Sequence, residues 1–203
     1  LLLNTSAQAY SAALVKELPY DPLKDFIPVA PLTSQPYVLV AGEIAGITTV
    51  SELVAKAKAK PGELKFGSTG TGTGTHLGIE KFNLEAGIKA MHVPGGAIAD
   101  VIANTVAGRT TYMMAPIALA LADIRAGKLR ALGVSTKKRS SLLPEVPSIS
   151  ESGVAGFNWP IWYGVWVRAG TPASVVDKLA RTSGAYSPPP TYATGLRNTE
   201  QSR

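Results

Sequence analysis

The sequence predicts an α/β fold with a parallel-rich sheet. Short apolar runs alternate with helix-period stretches between Glu63 and Val134, and such alternation favours strand–helix–strand units. Gly87, Gly108 and Gly127 follow the helical stretches, at the place where a chain leaving a helix needs a residue that tolerates positive φ. The 203 residues hold 20 glycines and 15 prolines, so the elements are many and short, and a long coiled coil is excluded.

Taken in order, residues 1–3 read as the end of a strand and 6–18 as a helix stopped by Pro19. Residues 21–25 are a turn, and 37–40 a strand. Thr49 and Glu52 match a capping box, and Val50, Leu53, Val54 and Ala57 form the apolar face of the helix behind it. Residues 64–66 read as a strand, followed by a Gly/Thr loop and a helix to about Ala86. Residues 88–93 form the next strand, and Ile98, Val101, Ile102 and Thr105 mark one helical face. A strand at 111–115 leads to a helix with Pro116 in its first turn, and 129–134 is a strand again. Beyond Lys137 the texture changes to a proline-containing loop, an aromatic strand at 159–167, and a helix opened by Thr171-Pro172 with Val175, Val176 and Leu179 inward. Residues 183–203 are polar, with prolines at 188–190, and read as a poorly ordered tail.

Composition narrows the function classes. Hydrophobic residues are 45% and charged residues 17%, which excludes global disorder. No apolar run reaches the roughly 18 residues of a membrane helix, and no signal peptide is visible at Leu1-Leu2-Leu3. There is no cysteine, so disulfides, thiolate metal sites and cysteine nucleophiles are out. The net charge is +6. Six basic residues, Arg125, Lys128, Arg130, Lys137, Lys138 and Arg139, run without an acid among them. They read as a solvated turn, or as an anion patch. Aromatics do not interleave with them, which leaves little for stacking on bases.

The stretch from Gly67 to Leu77, Gly-Ser-Thr-Gly-Thr-Gly-Thr-Gly-Thr-His-Leu, sits between a strand and a helix. Glycines allow close backbone approach, helix-start N–H groups favour an anion, and threonines add neutral donors. A plain capping loop would use the same residues. The phosphate-loop pattern fails, because Thr75 and His76 follow Gly74 where Lys-Ser/Thr is needed. The dinucleotide fingerprint fails too, with Thr75 or Leu77 at the third glycine. The two histidines, His76 and His92, lack the spacing of a helical metal site. His76 reads as a pocket or packing residue rather than a base, and His92 as structural. Ser68 lacks a Gly-x-Ser-x-Gly elbow. Trp159, Trp162, Tyr163 and Trp166 read as core packing, or as one wall of a ligand cleft. An α/β enzyme acting on a small anion, with His76 as base, is the alternative to a binding module.

Six segments resemble the Bug or TctC family, the solute-binding proteins of tripartite tricarboxylate transporters. They are Leu-Pro-Tyr-Asp-Pro-Leu-Lys-Asp-Phe-Ile-Pro-Val at 18–29, the Gly/Thr motif at 68–77, His-Val-Pro at 92–94, Ala-Gly-Lys-Leu-Arg-Ala-Leu-Gly-Val at 126–134 with Lys-Arg-Ser at 138–140, Leu-Pro-Glu-Val-Pro-Ser-Ile at 143–149, and Trp-Tyr-Gly at 162–164 with Ala-Gly-Thr-Pro at 169–172. The resemblance implies a periplasmic-binding-protein-like, two-lobed Venus-flytrap fold with an incomplete first lobe. Residues 1–61 and 166–203 would belong to that lobe, and 62–165 to the second. It further implies a periplasmic, monomeric receptor, not an enzyme. Such a receptor closes on a small organic carboxylate and delivers it to membrane permease subunits, with no cofactor, no metal and no nucleic acid. The ligand-binding residues it implies are Thr5, Ser6, Ser68, Thr69, Gly70, Thr71, Gly72, Thr73, His76, Gly95 and Gly96, with Thr73 the foremost. The family's first glycine-rich loop lies upstream of residue 1. Gly95-Gly96 stands where the family often has Tyr-Lys, and Thr110-Thr111 where it often has Val-Asp. The match reads as ending near residue 183, with the usual C-terminus missing.

Overall fold

The computed structural model describes residues 2–5 and 17–183. They comprise β1 (Leu2–Thr5), β2 (Phe26–Gly42), a 3-10 turn (Glu43–Ala45), α1 (Val50–Ala59), β3 (Lys65–Ser68), α2 (Gly74–Ala86), β4 (Met91–Pro94), α3 (Ile98–Val106), β5 (Tyr112–Pro116), α4 (Ile117–Arg125), β6 (Leu129–Val134), β7 (Pro160–Arg168) and α5 (Ala173–Ser183). Two compact units result: Leu1–Ser34 with Trp162–Arg203, and Gln35–Ile161. The chain passes from one to the other inside β2 and inside β7. Residues 35–61 fall in the larger unit. The reason is that the second half of β2 is hydrogen-bonded between β5 and β6.

In the larger unit the strands run β4-β3-β5-β2-β6. β3 pairs in parallel with β4 and β5, whereas β2 is antiparallel to both β5 and β6. The sheet is therefore mixed. The three consecutive strands β3, β4 and β5 are parallel as the alternation predicts, and β2 inserts between β5 and β6. Val38, Leu39, Val40 and Ala41 are all buried, as a strand covered on both faces requires. Val38, Val40, Met113, Ala115 and Val134 join Val101, Ile102, Ile117 and Ala120 from α3 and α4 in one core cluster. Phe82 of α2 stands edge-on to Tyr112 and to Phe157, at ring centroids of 6.5 and 6.2 Å. The buried Tyr112 hydroxyl donates to Asn83 Oδ1 at 2.7 Å, and burial raises its pKa, so it stays neutral.

Local signals explain most helix ends. Thr49 Oγ1 accepts from the Glu52 N–H at 3.1 Å. The Glu52 carboxylate reaches back to the Thr48 N–H at 2.7 Å, one residue before the capping position. Gly87 ends α2 at φ 64°. Pro116 is the N-cap of α4 rather than part of its first turn, because its ψ of 128° is still extended.

In the smaller unit, β1 is antiparallel to β7 with Leu2 opposite Trp166 and Thr5 opposite Tyr163, and β7 also neighbours β2. The turn at 21–25 is closed by Asp21 Oδ1, which accepts from the Leu23 and Lys24 N–H groups. Helix α5 buries none of its residues, and Val175 is exposed. The inward face expected for it is not buried among the described residues, although Val176 and Leu179 are half-covered. The expected helix at 6–18 and the polar tail fall almost wholly outside the described residues.

The basic run is dispersed. Lys128 pairs with Asp123 at 3.6 Å, Arg130 with Glu43 at 3.5 Å and Arg139 with Glu151 at 3.3 Å. Acids outside the run answer half of it, one just before it and two more distant in sequence, which favours the solvated reading over an anion patch.

Candidate functional site

The Gly/Thr loop spans the carboxyl end of β3 and the start of α2, the end of a parallel strand where open α/β sheets bind ligands. Backbone geometry explains its glycines. Gly70 has φ 135° and Gly72 φ 81°, values that a residue with a Cβ rarely adopts. Gly67 is needed for a different reason: a Cβ there would come within 2.7 Å of Val101 Cγ1 on α3.

The threonines form a chain of hydrogen bonds with a fixed direction. Thr73 Oγ1 donates to the Gly70 carbonyl at 2.7 Å, and a carbonyl can only accept. The Thr73 proton is thereby committed, so in the 3.0 Å contact between Thr73 and Thr75 the donor is Thr75. The 2.9 Å contact between Thr75 and Thr69 then requires Thr69 as donor. All three hydroxyl protons point toward Gly70. Thr73 Oγ1 also accepts from the His76 N–H at 3.4 Å, which makes Thr73 the N-cap of α2. Thr75 Oγ1 accepts from the Thr69 N–H at 3.0 Å.

Backbone donors are left over. Gly74 and Thr75 open α2, and first-turn N–H groups have no acceptor within their helix. The Thr71 N–H has no acceptor among the described residues, and the Thr71 side chain is exposed. No lysine, arginine or acid lies between Gly67 and Leu77. The loop can therefore meet an anion with N–H groups and the helix dipole.

Histidines brace the loop from below. His76 Nδ1 accepts from the Gly72 N–H at 3.3 Å, which leaves the proton of the neutral ring on Nε2, 3.8 Å from Glu80 Oε1. His92 lies on β4 opposite Phe66 and stacks on it at 5.0 Å, with its centroid 4.2 Å from that of His76. Burial, then the charge of His76, hold the His92 pKa below the usual imidazole range. His92 Nε2 is 2.6 Å from Ser68 Oγ, and Ser68 Oγ accepts from the Gly70 N–H at 3.1 Å. This Ser–His contact is not a nucleophile arrangement. Ser68 is fully buried, and no carboxylate orients His92 among the described residues.

Of the residues expected to bind ligand, Ser68, Thr69, Gly70, Gly72, Thr73 and His76 are joined in one network. Gly95 joins it through its N–H, which donates to the Ser68 carbonyl at 2.8 Å. Gly96 has φ 74° in the loop before α3. Thr5 ends β1 in the smaller unit, and Ser6 lies outside the described residues. Sequence reading missed Thr75, buried at the middle of the hydroxyl chain, and His92. The alternation of threonine at 69, 71, 73 and 75 is the signal for the first. No local signal exists for the second, because it reaches Ser68 only through the pairing of β3 with β4. The tryptophans separate: Trp159 is buried in the larger unit, its Nε1 donating to the Gly74 carbonyl at 3.1 Å. Trp162 and Trp166 stack on each other at 6.4 Å in the smaller one. An open groove of about 500 Å³, lined in part by Thr48, Ser51, Leu132 and Glu151, shares no residue with the loop.

Among proteins of known sequence, the chain is similar to a UPF0065 protein in the tcbD-tcbE intergenic region of Pseudomonas sp. (strain P51). The two are 34% identical over 180 residues, 88% of this chain and 54% of the relative. It is 33% identical to protein BugT of Bordetella pertussis over 187 residues, 89% of this chain and 56% of BugT. The chain thus spans about half the length of the curated relatives it matches. Among solved structures, Rpa4515 of R. palustris with adipate superimposes with a TM-score of 0.83 at 29% identity, covering 97% of this chain and 66% of that one. MatC of Rhodopseudomonas palustris with bound malate gives 0.80 at 27%, covering 91% and 64%. The periplasmic binding protein BugD gives 0.82 at 26%, covering 95% and 64%. These likenesses establish a periplasmic-binding-protein-like α/β fold, partial relative to the solved chains. The family profile for the tripartite tricarboxylate transporter family receptor, TctC, matches residues 1–202. The match runs past residue 183, where the motif resemblance stops. With nearly its whole length matched, the chain belongs to the TctC family of transporter receptors, a family of binding proteins and not of enzymes.

Proposed function

We propose that this chain is part of a periplasmic receptor that captures a small organic carboxylate at the Gly67–Leu77 loop and delivers it to the permease of a tripartite transporter. One observation carries the reading. Among the described residues, the loop holds backbone N–H donors without partners at the start of α2, while the hydroxyl protons of Thr69, Thr73 and Thr75 are committed internally and no basic residue lies between Gly67 and Leu77. Neutral donors of this kind hold a carboxylate reversibly and without a buried counter-charge, as a carrier needs. Relatives that bind adipate and malate, and one described as periplasmic, support the ligand class and the compartment. Closure of two lobes would shield the ion from water and strengthen those hydrogen bonds. Thr5, Ser6, Gly95 and Gly96 are proposed as further contacts of the same ligand.

The test is a thermal-shift titration of the whole chain with malate, adipate and a tricarboxylate. A ligand at 100 times its Kd adds about 2.7 kcal/mol of stability. Gly74→Pro is the informative variant. Proline suits the first helical position and lacks the N–H, Thr73 before it is already extended at ψ 163°, and only the flexible tip of Ile161 crowds the site. A dose-dependent shift for one carboxylate, much reduced in Gly74→Pro, is expected. A cooperative melt with no shift for any carboxylate overturns the reading for this chain.

A further inference from the structure

We infer that Ser68 and His92 are a proton-linked positioning pair, which sets whether the Gly70 carbonyl holds the hydroxyl of Thr73 or that of Ser68. The inference deepens the carboxylate reading of the same loop, and its consequence for ligand binding rests on that reading. The coupling within the pair does not.

Ser68 has one hydroxyl proton and two places to put it. Its Oγ is 2.6 Å from His92 Nε2 and 3.3 Å from the Gly70 carbonyl, and it accepts the Gly70 N–H at 3.1 Å. When Nε2 is unprotonated, Ser68 donates to it. The Gly70 carbonyl then serves two donors, the Thr73 N–H at 3.3 Å and the Thr73 hydroxyl at 2.7 Å, which fill its two lone pairs. When Nε2 carries a proton, it donates to Ser68 Oγ, and the Ser68 proton must turn to the Gly70 carbonyl. Three donors now compete for two lone pairs. The Thr73 N–H is fixed by the backbone, so the Thr73 hydroxyl is the one released. A released Thr73 proton is a new donor beside the backbone N–H groups and the exposed Thr71 side chain.

The surroundings suit such a switch. His92 faces Phe66 on β3 and His76 on α2. The Glu80 carboxylate lies against Nε2 of His76 at 3.8 Å. Tyr112 on β5, behind Phe66, is neutral. Among the described residues no acid opposes the neutral ring, and burial with the neighbouring imidazole keeps it neutral down to a pH below the usual imidazole range.

The experiment is a pH titration of the isotopically labelled full chain by NMR, following the imidazole nitrogens of His92 and His76 and the backbone amides of Gly70 and Thr73. The expected result is an unprotonated His92 Nε2 at neutral pH, with the Gly70 and Thr73 amides shifting at the His92 midpoint. In Ser68→Ala, His92 still titrates but the amides no longer follow it. Amides that stay still while His92 titrates, that follow the His76 midpoint instead, or that move equally in Ser68→Ala overturn the inference. So does a His92 ring with its proton on Nε2 at neutral pH. The wild-type titration alone decides if the variant does not fold. No ligand is present, so its failure is distinguishable from a failure to bind carboxylates.

Discussion

Two neighbouring strand-to-helix junctions of the larger unit make opposite use of their sequence. β3 and β4 are hydrogen-bonded in parallel, so the β3–α2 and β4–α3 junctions leave the same end of the sheet side by side. At the first, Thr73 caps the helix, Thr69 and Thr75 extend the hydroxyl chain, and Ser68 and His92 brace it. At the second, Ala97 occupies the N-cap position with no side-chain bond, and among the described residues the Gly95 N–H alone hydrogen-bonds the loop to its neighbour. One junction is held by side chains and the other by packing of the strongly amphipathic α3 through Val101, Ile102 and Thr105. A helix needs a stabilised N-terminus or a buried face, and these two junctions lean on different remedies. A rigid capped loop can hold backbone donors in a fixed array, which an uncapped loop does by chance only.

The largest effect that breaks this contrast is expected under the first junction. Phe66 is fully buried between His92, His76 and Tyr112. Phe66→Ala is expected to cost about 3–5 kcal/mol in denaturant unfolding, whereas Met91→Ala, exposed on β4, should stay within about 0.5 kcal/mol. Equal costs would mean that the stack is not what holds the loop.

Thr73→Val removes the cap, leaves the Gly70 carbonyl with the Thr73 N–H alone and takes the acceptor from the Thr75 proton. It should lose about 1–2 kcal/mol and weaken any carboxylate shift. The reverse change sharpens the comparison. Ala97 already has the extended φ of −67° and ψ of 144° of a capping residue, so Ala97→Ser should gain up to about 1 kcal/mol. A neutral or destabilising outcome would show that the second junction is shaped for something other than stability.

The smallest effect is pH-linked. The folded pKa of His92 lies below its unfolded value, so below the usual imidazole range the unfolded chain binds more protons than the native one. Stability from this group is complete above that range and is lost progressively as pH falls toward the folded pKa. In melts across that interval, His92→Asn should flatten the acid-side loss. An unchanged slope would assign that loss to other groups, such as Glu52 and Glu151. Their carboxylates are held low mainly by backbone N–H bonds from Thr48 and Ser148.

Much of the fold was legible because the relevant physics is local. The capping threonine at Thr49, the glycines at Gly87 and Gly127 and the helical period of Ile98, Val101, Ile102 and Thr105 each act within a few residues, and each is where the sequence puts it. The Gly/Thr loop was legible for the same reason. The reading went astray where distant strands decide. β2 looked like a short strand before a parallel sheet, but it inserts between β5 and β6 and runs against both. α5 has the period of a half-buried helix and yet buries none of its residues. The basic run looked unopposed because Glu43 and Glu151 are far away in sequence.

By itself the sequence determined that this chain is α/β, that it carries a glycine- and threonine-rich loop suited to an anion, and that it resembles the TctC receptors. Those properties depend on backbone preferences and short-range hydrogen bonds, which neighbouring residues settle. Tertiary structure alone decided which hydroxyls are free. Parallel pairing of β3 with β4 brings His92 to Ser68, and folding of the loop directs the hydroxyl protons of Thr69, Thr75 and Thr73 toward Gly70. A hydrogen-bond donor has one proton to place, and where it goes depends on which acceptors the fold brings within reach.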